Sequence, residues 1–160
     1  MNIEITELTD ENREWACTLL EERWGSTTVV SRGKVHKADT LSGFVAFIDG
    51  ANRGLVTYRI SQKECEVVTL DSLGEGLGIG SALLDAVHTV AKSLGCLRIW
   101  LITTNDNTSA LRFYQKKGFE LVAVHCNAIA ESRRLKPTIP AIGIDGIPIR
   151  DEIELEYRFR

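Results

Sequence analysis

The stretch LGEGLGIGSALL, from Leu73 to Leu84, decides the fold of this chain. It alternates glycine with other residues and runs directly into apolar helix formers; the glycines are Gly74, Gly76, Gly78 and Gly80. Glycine loses more conformational freedom on folding than any other residue, so such a cluster needs a physical reason. A tight turn is one reason, and close approach of a ligand to the backbone is another. Because a helix N-terminus offers unpaired N–H donors and a partial positive charge, we interpret the stretch as an anion-binding loop.

Two common phosphate-binding motifs do not fit this loop. A GxGxxG dinucleotide motif needs a third glycine, but Ile79 or Ser81 stands at that position, depending on which glycine comes first. A P-loop needs Gly-Lys followed by serine or threonine, and no lysine follows these glycines. The loop therefore belongs to neither motif.

Size and charge exclude several classes of protein. The 160 residues suit a single domain, spanning 1–160, with a core of its own. The net charge of −3 implies no general attraction to nucleic acid. The sequence has no stretch of about 18 apolar residues, and its acidic N-terminus lacks an apolar signal core. We therefore expect a cytoplasmic protein that does not interact with membranes.

The cysteines and histidines give no sign of a metal site. Cys17, Cys65, Cys96 and Cys126 are widely separated and form no CxxC pair, which argues against zinc. We expect them to be free, small apolar residues rather than disulfides. The histidines have no partner pattern either. No metal is therefore predicted.

Hydrophobic periodicity and turn residues divide the first half of the chain into short elements. A helix capped by Asp10 is predicted to run to about Glu22, and Asp49 to Gly54 supplies turn residues. The polar segment Trp24 to Thr40 has no clear assignment. The predicted strands are Asn2 to Glu7, Phe44 to Ile48, Leu55 to Ile60 and Glu64 to Leu70.

The second half alternates helices with strands. The glycine loop opens a helix that ends at Gly95, and Leu97 to Ile102 is apolar on both faces, as in a central strand. A second helix follows, and strands are predicted at Phe119 to Val124 and from Ile153 onward. The connection Cys126 to Arg150 has no clear periodicity, but its apolar content favours packing over disorder.

The resulting order is β-α-βββ-α-β-α-β-β. Its middle strands form an antiparallel meander, which is typical of an α+β fold rather than a doubly wound one. The last strand alternates, with Ile153, Leu155, Tyr157 and Phe159 on one face and charged residues on the other. Such a strand at the edge of the sheet would allow a homodimer.

Two motifs in this order resemble the GNAT superfamily of acetyl-CoA-dependent N-acetyltransferases. The loop Glu75-Gly76-Leu77-Gly78-Ile79-Gly80 is similar to the family's acyl-CoA loop, Arg/Gln-x-x-Gly-x-Gly/Ala. The segment NTSALRFYQKKGF, from Asn107 to Phe119, is similar to its Asn-x-x-Ala-x-x-Phe-Tyr-x-x-x-Gly-Phe helix. One departure is Glu75, which stands where the family has Arg or Gln. Its carboxylate either points away from a bound pyrophosphate or weakens the binding.

The resemblance implies a mixed, mostly antiparallel central sheet flanked by helices, with a long insertion between the last two strands. It also implies acetyl-CoA as co-substrate, with the pyrophosphate on backbone amides from Leu77 to Ser81. The pantetheine arm and thioester would lie in a gap between two splayed central strands. Asn107 either contacts the arm or only caps its helix. The residues expected at the coenzyme are Leu70, Ser72, Leu73, Leu77, Gly78, Ile79, Gly80, Ser81 and Asn107.

Transfer to an amine needs a base, or a dry site that lowers the amine pKa, because alkyl amines are protonated at neutral pH. Glu64 and Glu66 share one face of the strand before the loop, where the family often places its base. Glu66 is put ahead of Glu64; alternatively, both are exposed on a half-solvated strand. Tyr114 stands at the family's general-acid position, where a phenol can donate to the leaving sulfur. Its alternative role is core packing beside Phe113.

The acceptor side is less defined by sequence. Arg133 and Arg134 lie in a basic cluster that is either a solvated loop or a binding site for an acidic group of the acceptor. Trp24 either walls the acceptor pocket or anchors the core. The predicted function is acetyl transfer from acetyl-CoA to a primary amine of a small molecule in a ternary complex. The alternatives are a non-catalytic acyl-CoA sensor and a peptide or protein N-acetyltransferase.

Overall fold

The computed structural model describes residues 2–160, which form nine strands and four α-helices. The helices are α1 (Asp10–Trp24), α2 (Ile79–Ser93), α3 (Thr108–Lys116) and α4 (Ala128–Leu135). The strands are β1 (Ile3–Glu7), β2 (Thr28–Ser31), β3 (Lys34–Lys37), β4 (Ser42–Ile48), β5 (Ala51–Ser61), β6 (Glu64–Ser72), β7 (Arg98–Thr104), β8 (Glu120–His125) and β9 (Glu152–Arg158).

Seven strands form one mixed sheet in the order β1-β4-β5-β6-β7-β9-β8. Its neighbours are antiparallel except for β6 and β7, which are parallel. The predicted α+β class with a mostly antiparallel sheet is therefore confirmed. The expectation that the last strand lies at an edge is wrong, because β9 lies between β7 and β8 and the edge belongs to β8.

Two apolar cores lie on opposite faces of the sheet. On one face α2 packs Ile79, Leu83 and Val87 into a cluster with side chains of the central strands. On the other face α1 packs Leu19 and Leu20 into a second cluster. None of the helices found within residues 2–160 is long and apolar enough to cross a bilayer.

Close packing fixes the start of α2 against the sheet. Gly54 on β5 lies directly under the helix, and a Cβ atom added there would meet Ile79 Cγ2 at 2.5 Å. The absence of a side chain at this position lets the first turn of α2 approach the strand. The glycine loop before α2 is thereby held at one end of the sheet.

The N-terminal half departs from the predicted elements at two boundaries. Thr9 rather than Asp10 is the N-cap of α1, and its backbone N–H donates to the Asn12 side chain at 2.8 Å. The predicted turn Asp49 to Gly54 shrinks to Asp49-Gly50, because pairing with β4 extends β5 back to Ala51. The start of β5 is thus decided by pairing with another strand, which local residue propensity does not record.

The unassigned segment Trp24 to Thr40 contains a β-hairpin and a short 3₁₀ turn. Strands β2 and β3 pair around Arg32-Gly33, whose φ angles of 49° and 70° are those of a tight hairpin turn. Each strand has only four residues, which is too short for an alternating pattern to stand out. The hairpin lies over the face of the sheet that carries Glu66, since Ser31 contacts that residue.

The connection between β8 and β9 is packed and partly helical. It contains α4 and a bridge between Ile142 and Pro148, neither of which the sequence predicted. Asn105, after β7, holds it: its Oδ1 accepts from the Arg150 and Asp151 backbones at 3.0 Å, and its Nδ2 donates to the Pro148 carbonyl at 2.9 Å. The buried Asp106 carboxylate accepts from the Ile144 N–H at 3.0 Å. The insertion is therefore fastened to the end of β7.

A β-bulge in β6 separates the two central strands. The register with β5 pairs Thr57 with Thr69 but Tyr58 with Val67, which leaves Val68 as an extra residue. The parallel ladder pairs Glu64–Val67 with Arg98–Leu101. Beyond it, β6 continues along β5 while β7 continues along β9. The bulge therefore opens a gap between β6 and β7.

We predict that Asn105→Ala lowers the free energy of unfolding by about 0.5–1.5 kcal/mol, because three backbone groups of the insertion lose their hydrogen-bond partner. Hydrogen exchange of residues 126–151 should become faster, while α2 stays protected. Urea denaturation and exchange mass spectrometry measure both effects. Gln115→Ala is the matched control, since its amide bonds only to the Leu111 carbonyl of its own helix. Equal stability of the two variants would contradict the anchoring role.

Candidate active site

The glycine loop presents bare backbone at the start of α2. Gly76 and Gly78 adopt positive φ angles of 73° and 79°, which side chains rarely tolerate. The first intrahelical bond runs from the Ala82 N–H to the Gly78 carbonyl at 3.0 Å. The N–H groups before Ala82 are therefore free of helical partners and available to an anion. Glu75 is exposed on the turn, so its carboxylate can point into solvent.

A cavity of about 440 Å³ lies in the gap between β6 and β7. Strand β6 lines it with Leu70, Asp71 and Ser72, and α3 lines it with Tyr114. On the side of β7, the wall includes Ile102, Thr103 and Asn107. Of the residues predicted for the coenzyme, Leu70, Ser72 and Asn107 therefore lie on one cavity. Ser72 and the glycine loop are contiguous, which places the N–H groups at the start of α2 at the mouth of the gap.

Tyr114 is buried between the core and this cavity. Its ring packs against Phe113 and Phe119, with centroid distances of 5.1 and 5.6 Å. Burial first, and then the charge of Asp71, raise the pKa of the Tyr114 phenol well above its usual range. The phenol therefore stays protonated and can donate a hydrogen bond to a group in the cavity. Packing and cavity lining are both present, so the two alternatives for Tyr114 are not exclusive.

The location of Asn107 is compatible with both of its predicted roles, as a helix cap and as a contact to the coenzyme arm. Its side chain accepts from the Ala110 N–H at 3.2 Å, which caps α3. The residue also lines the cavity between the splayed strands. Because the cap uses only the side-chain carbonyl, the Asn107 amide N–H groups remain available as donors.

Asp71 is a cavity residue that sequence reasoning did not find. The bulge at Val68 changes the alternation of β6, so Asp71 lies on the face of α1, and its side chain is 8% exposed. Its Oδ2 accepts from the Trp24 indole Nε1–H at 3.0 Å. Burial raises the pKa of Asp71, while the Trp24 hydrogen bond and the Arg23 charge oppose that rise. Trp24 is thus fixed at the wall of the cavity.

A second cavity, of about 430 Å³, adjoins the first on the other side of the splayed strands. Trp24, Val68, Ile102 and Asn107 line both, so the two cavities form one continuous cleft. The hairpin and the insertion close its far side. The apolar part of its wall comprises Val29, Val30, Val67, Val68, Ile102, Ile129, Ile139, Pro140 and Ile149.

Glu66 lies in the second cavity and is 3% exposed. Its Oε2 accepts from the Ser31 hydroxyl at 3.2 Å, and Arg59 Nη1 lies 3.7 Å from its Oε1. Burial raises the pKa of Glu66, and the Ser31 and Arg59 contacts oppose the rise. His36 Nε2 lies 3.6 Å from Oε2, but burial lowers the pKa of this histidine, so it is a neutral neighbour.

Glu64 has a different environment from Glu66. Its Oε1 accepts from Arg98 Nε at 2.6 Å, and the same guanidinium binds Glu154 and Glu156 at 3.0 Å each. The structure therefore places Glu64 in a charge network on β7 and β9 rather than in the cleft with Glu66.

Glu152 is a second carboxylate of the cavity that sequence reasoning missed. It begins β9 and is 1% exposed. Both of its oxygens lie 3.2 Å from the Arg32 backbone N–H, and the Arg32 guanidinium lies 3.6 Å away. No local signal marks such a residue, because it stands among charged side chains that alternate outward along the same strand.

Two cations of the basic cluster in the insertion bind backbone carbonyl groups. Arg133 Nη2 donates to the Pro140 and Ile149 carbonyls at 2.8 Å each. Lys136 Nζ donates at 2.7 Å to the carbonyls of Trp24 and Thr28, and its pKa is lowered by burial. Arg134 is exposed on α4. The structure therefore does not bring Arg133 or Arg134 into the cleft, and of the acceptor residues predicted from sequence it places Trp24 there.

The cysteines are free, as predicted. Cys65 is fully buried in the core, and burial raises its pKa to about 12, which fits a packing role rather than a nucleophile. Within residues 2–160, the structure gathers no group of three or more His, Cys, Asp or Glu side chains fit to hold a metal ion.

The chain is similar to proteins of known sequence and to solved structures. YdhI, an uncharacterized protein of Bacillus subtilis (strain 168), is 47% identical over 133 residues, which cover 82% of this chain and 83% of YdhI. YxbD of the same organism, also uncharacterized, is 37% identical over 145 residues, covering 89% and 91% of the two chains. Among solved structures, an IAA acetyltransferase from Bacillus cereus ATCC 14579 matches with a TM-score of 0.76 at 24% identity, over 99% of this chain and 100% of that one.

A Bacillus subtilis acetyltransferase solved in complex with CoA matches with a TM-score of 0.69 at 20% identity, over 99% of both chains. At these identities the solved structures show a shared fold. The sequence model of the acetyltransferase (GNAT) family matches residues 8–119, which include both motifs, the bulged strand and most of the cleft. The chain therefore belongs to the GNAT family of acetyltransferases.

Proposed function

We propose that this acetyltransferase moves the acetyl group of acetyl-CoA directly onto a primary amine of a small molecule. The observation that carries the proposal is the continuous cleft through the sheet. One half holds Tyr114, and the other half holds Glu66 in a mostly apolar cavity. A donor and an acceptor can therefore meet between β6 and β7 from opposite sides.

The coenzyme side of the cleft is built for a diphosphate attached to an extended arm. The backbone N–H groups from Leu77 to Ser81 would bind the diphosphate at the positive end of the α2 dipole. Past Val67, the edge of β6 that faces the gap can pair with the amides of the pantetheine arm, as an added strand would. Asn107 would contribute its amide N–H. This arrangement leads the thioester into the gap beside Tyr114.

Glu66 is the base that the geometry favours. Its burial raises its pKa, so it accepts a proton more readily than an ordinary glutamate does at neutral pH. Ser31 and Arg59 orient its two oxygens, which leaves further acceptor positions for an ammonium group. Glu66 would take a proton from the acceptor's ammonium group, and the resulting neutral amine attacks the thioester carbonyl. A C–N bond forms while the C–S bond breaks.

Tyr114 completes the proton balance. Its protonated phenol would donate to the departing sulfur, which leaves as the thiol. The nitrogen loses a second proton as the amide forms, and that proton restores the phenol. Glu66 returns the first proton to solvent. The acceptor's ammonium thus loses two protons, of which one ends on the thiol.

The covering of the acceptor cavity by two added segments favours a small molecule over a polypeptide acceptor. The hairpin covers it on one side through Ser31, and the insertion covers it on the other through Ile129, Ile139 and Ile149. Lys136 ties these two coverings together by its bonds to the Trp24 and Thr28 carbonyls. An extended peptide would need an open groove here.

The test of this function is thiol release. Folded protein is expected to bind CoA in calorimetry and to release free thiol from acetyl-CoA when small primary amines are added. Peptides that begin with varied residues serve as the competing acceptors. Binding of CoA without thiol release across both panels would indicate a sensor, and release with peptides only would indicate a peptide acetyltransferase.

We predict that Glu66→Gln lowers kcat/KM for the amine by about 100-fold, because the base is lost. The raised pKa of Glu66 sets the acidic limb of wild-type kcat/KM above pH 4.5, since the base is inactive while protonated. Activity should therefore rise with pH through that limb in the wild type, and the limb should disappear in Glu66→Gln. Glu64→Gln, which changes the Arg98 network, should keep it. A retained limb in Glu66→Gln would exclude this residue as the base.

We also predict that Tyr114→Phe lowers kcat by about 100-fold and leaves the dissociation constant of CoA within about threefold, because the phenyl ring keeps the packing. Stopped assays and calorimetry measure the two quantities. Tyr58→Phe is the matched control, since its ring stacks on Phe44 at 5.8 Å on the core side of the sheet. Equal kcat values for the two variants would remove Tyr114 from the chemistry.

A further inference from the structure

The acceptor cavity points to the kind of amine that enters it. We propose that the acceptor carries a second cationic group besides the amine that is acetylated, and that the Glu152 carboxylate binds this second group. The inference rests on the proposed function and makes its substrate class more specific. Glu152 is thereby a specificity-determining residue rather than a catalytic one.

Glu152 has unused capacity to accept hydrogen bonds. Its two oxygens share one backbone donor, the Arg32 N–H at 3.2 Å, although a carboxylate can accept about four hydrogen bonds. The Arg32 guanidinium lies 3.6 Å away, beyond hydrogen-bond distance, and its side chain is 43% exposed. A carboxylate that is 1% exposed is costly without more donors. A ligand ammonium in the cavity would supply them.

One hairpin holds both carboxylates of the cavity. Ser31 donates from its hydroxyl to Glu66, and the next residue, Arg32, donates from its backbone to Glu152, each at 3.2 Å. Because the two donors are consecutive, the carboxylates lie on either side of the hairpin tip. Arg32 lies in the hairpin turn, with φ of 49°, outside the β2–β3 ladder, and its N–H donates to Glu152. A ligand with two cationic ends can therefore reach both carboxylates within one cavity.

Two cations, Arg23 and Lys136, line the acceptor cavity. Lys136 is bound to two carbonyls, and the charge of Arg23, which lines both cavities, acts on the buried Asp71. Lys34 and Arg59 face Glu66 from β3 and β5, and Glu64 and the neutral His36 complete its surroundings. Glu152 is left with the half-exposed Arg32. Its charge therefore favours a cation at this end of the cavity and disfavours a carboxylate.

The rest of the cavity suits an aliphatic linker. Between the two carboxylates the wall is mostly apolar, with side chains from the hairpin, β7 and the insertion. Methylene groups gain free energy when they leave water for such a wall. A linear diamine combines the required features: a reactive amine near Glu66, an apolar chain, and an ammonium near Glu152.

The experiment compares linear acceptors of equal chain length with wild-type enzyme and acetyl-CoA. Diaminobutane, butylamine, aminobutanol and aminobutanoate are assayed for thiol release, and the set is repeated with propyl, pentyl and hexyl chains. We expect kcat/KM for at least one diamine to exceed that of its monoamine by about tenfold or more, from one charged hydrogen-bonded contact. The amino acid should be the poorest acceptor of each set.

Glu152→Gln should reduce the ratio of diamine to monoamine kcat/KM to near one. Glu154→Gln is the matched control, because Glu154 is a neighbour on β9 that binds Arg98 and His125, and it should keep the wild-type ratio. A purely structural role of Glu152 would lower both rates without changing their ratio. If Glu152→Gln does not fold, the wild-type enzyme alone tests the inference. The diamine-to-monoamine ratios of kcat/KM and the rank of the amino acid as an acceptor are then the two readouts.

The outcomes separate this inference from the proposed function. Equal kcat/KM for monoamines and diamines in the wild type would overturn the second-cation site and leave amine acetylation standing. A preference for the amino acid would overturn it in the same way. Bound CoA with no thiol release for any amine would overturn both.

Discussion

The separation of β6 from β7 at the Val68 bulge is the constraint on which the rest of the structure depends. One extra residue in β6 ends the parallel ladder after the Val67–Leu101 pair and lets each strand follow its other neighbour. The resulting gap exposes the edge of β6 and creates a passage through the sheet. It also reverses the faces of the residues that follow, so that Asp71 lies with Trp24 on the face of α1.

The two sides of the passage differ in how they are built. The coenzyme side consists mainly of backbone groups. They belong to the glycine loop before α2, the edge of β6 that faces the gap, and the capped start of α3. In the proposed function, these backbone donors would bind acetyl-CoA, the co-substrate common to the family. The acceptor side uses side chains from segments that lie far apart in sequence, the β2–β3 hairpin and the insertion before β9. Side chains on added segments can vary without disturbing the sheet, which suits the part of the site that selects the acceptor.

The basic cluster predicted an acidic group on the acceptor, but the buried charges on the acceptor side are carboxylates. Arg133 and Lys136 are used to bind carbonyl groups, which fastens the insertion and joins it to the hairpin region. Arg23 and Lys136 also line this cavity, but its two buried charges, Glu66 and Glu152, are acidic. Cations that satisfy carbonyl groups stabilise the closed shape, and carboxylates with spare acceptor positions remain for a ligand.

The sequence by itself determined the coenzyme half of this protein. The glycine loop, the α3 motif and the strand order are local or periodic features, so they gave the α+β fold, the GNAT family and the neighbourhood of Tyr114 directly. Only the tertiary structure decided the acceptor half. The hairpin strands were too short to show a period, α4 was hidden in an irregular insertion, and β9 lies inside the sheet rather than at its edge. Glu152 and Asp71 were found only through their burial, and burial also decided against the exposed alternative for Glu66, which the sequence had already put forward as the base. Burial depends on long-range packing that no local pattern of residues records.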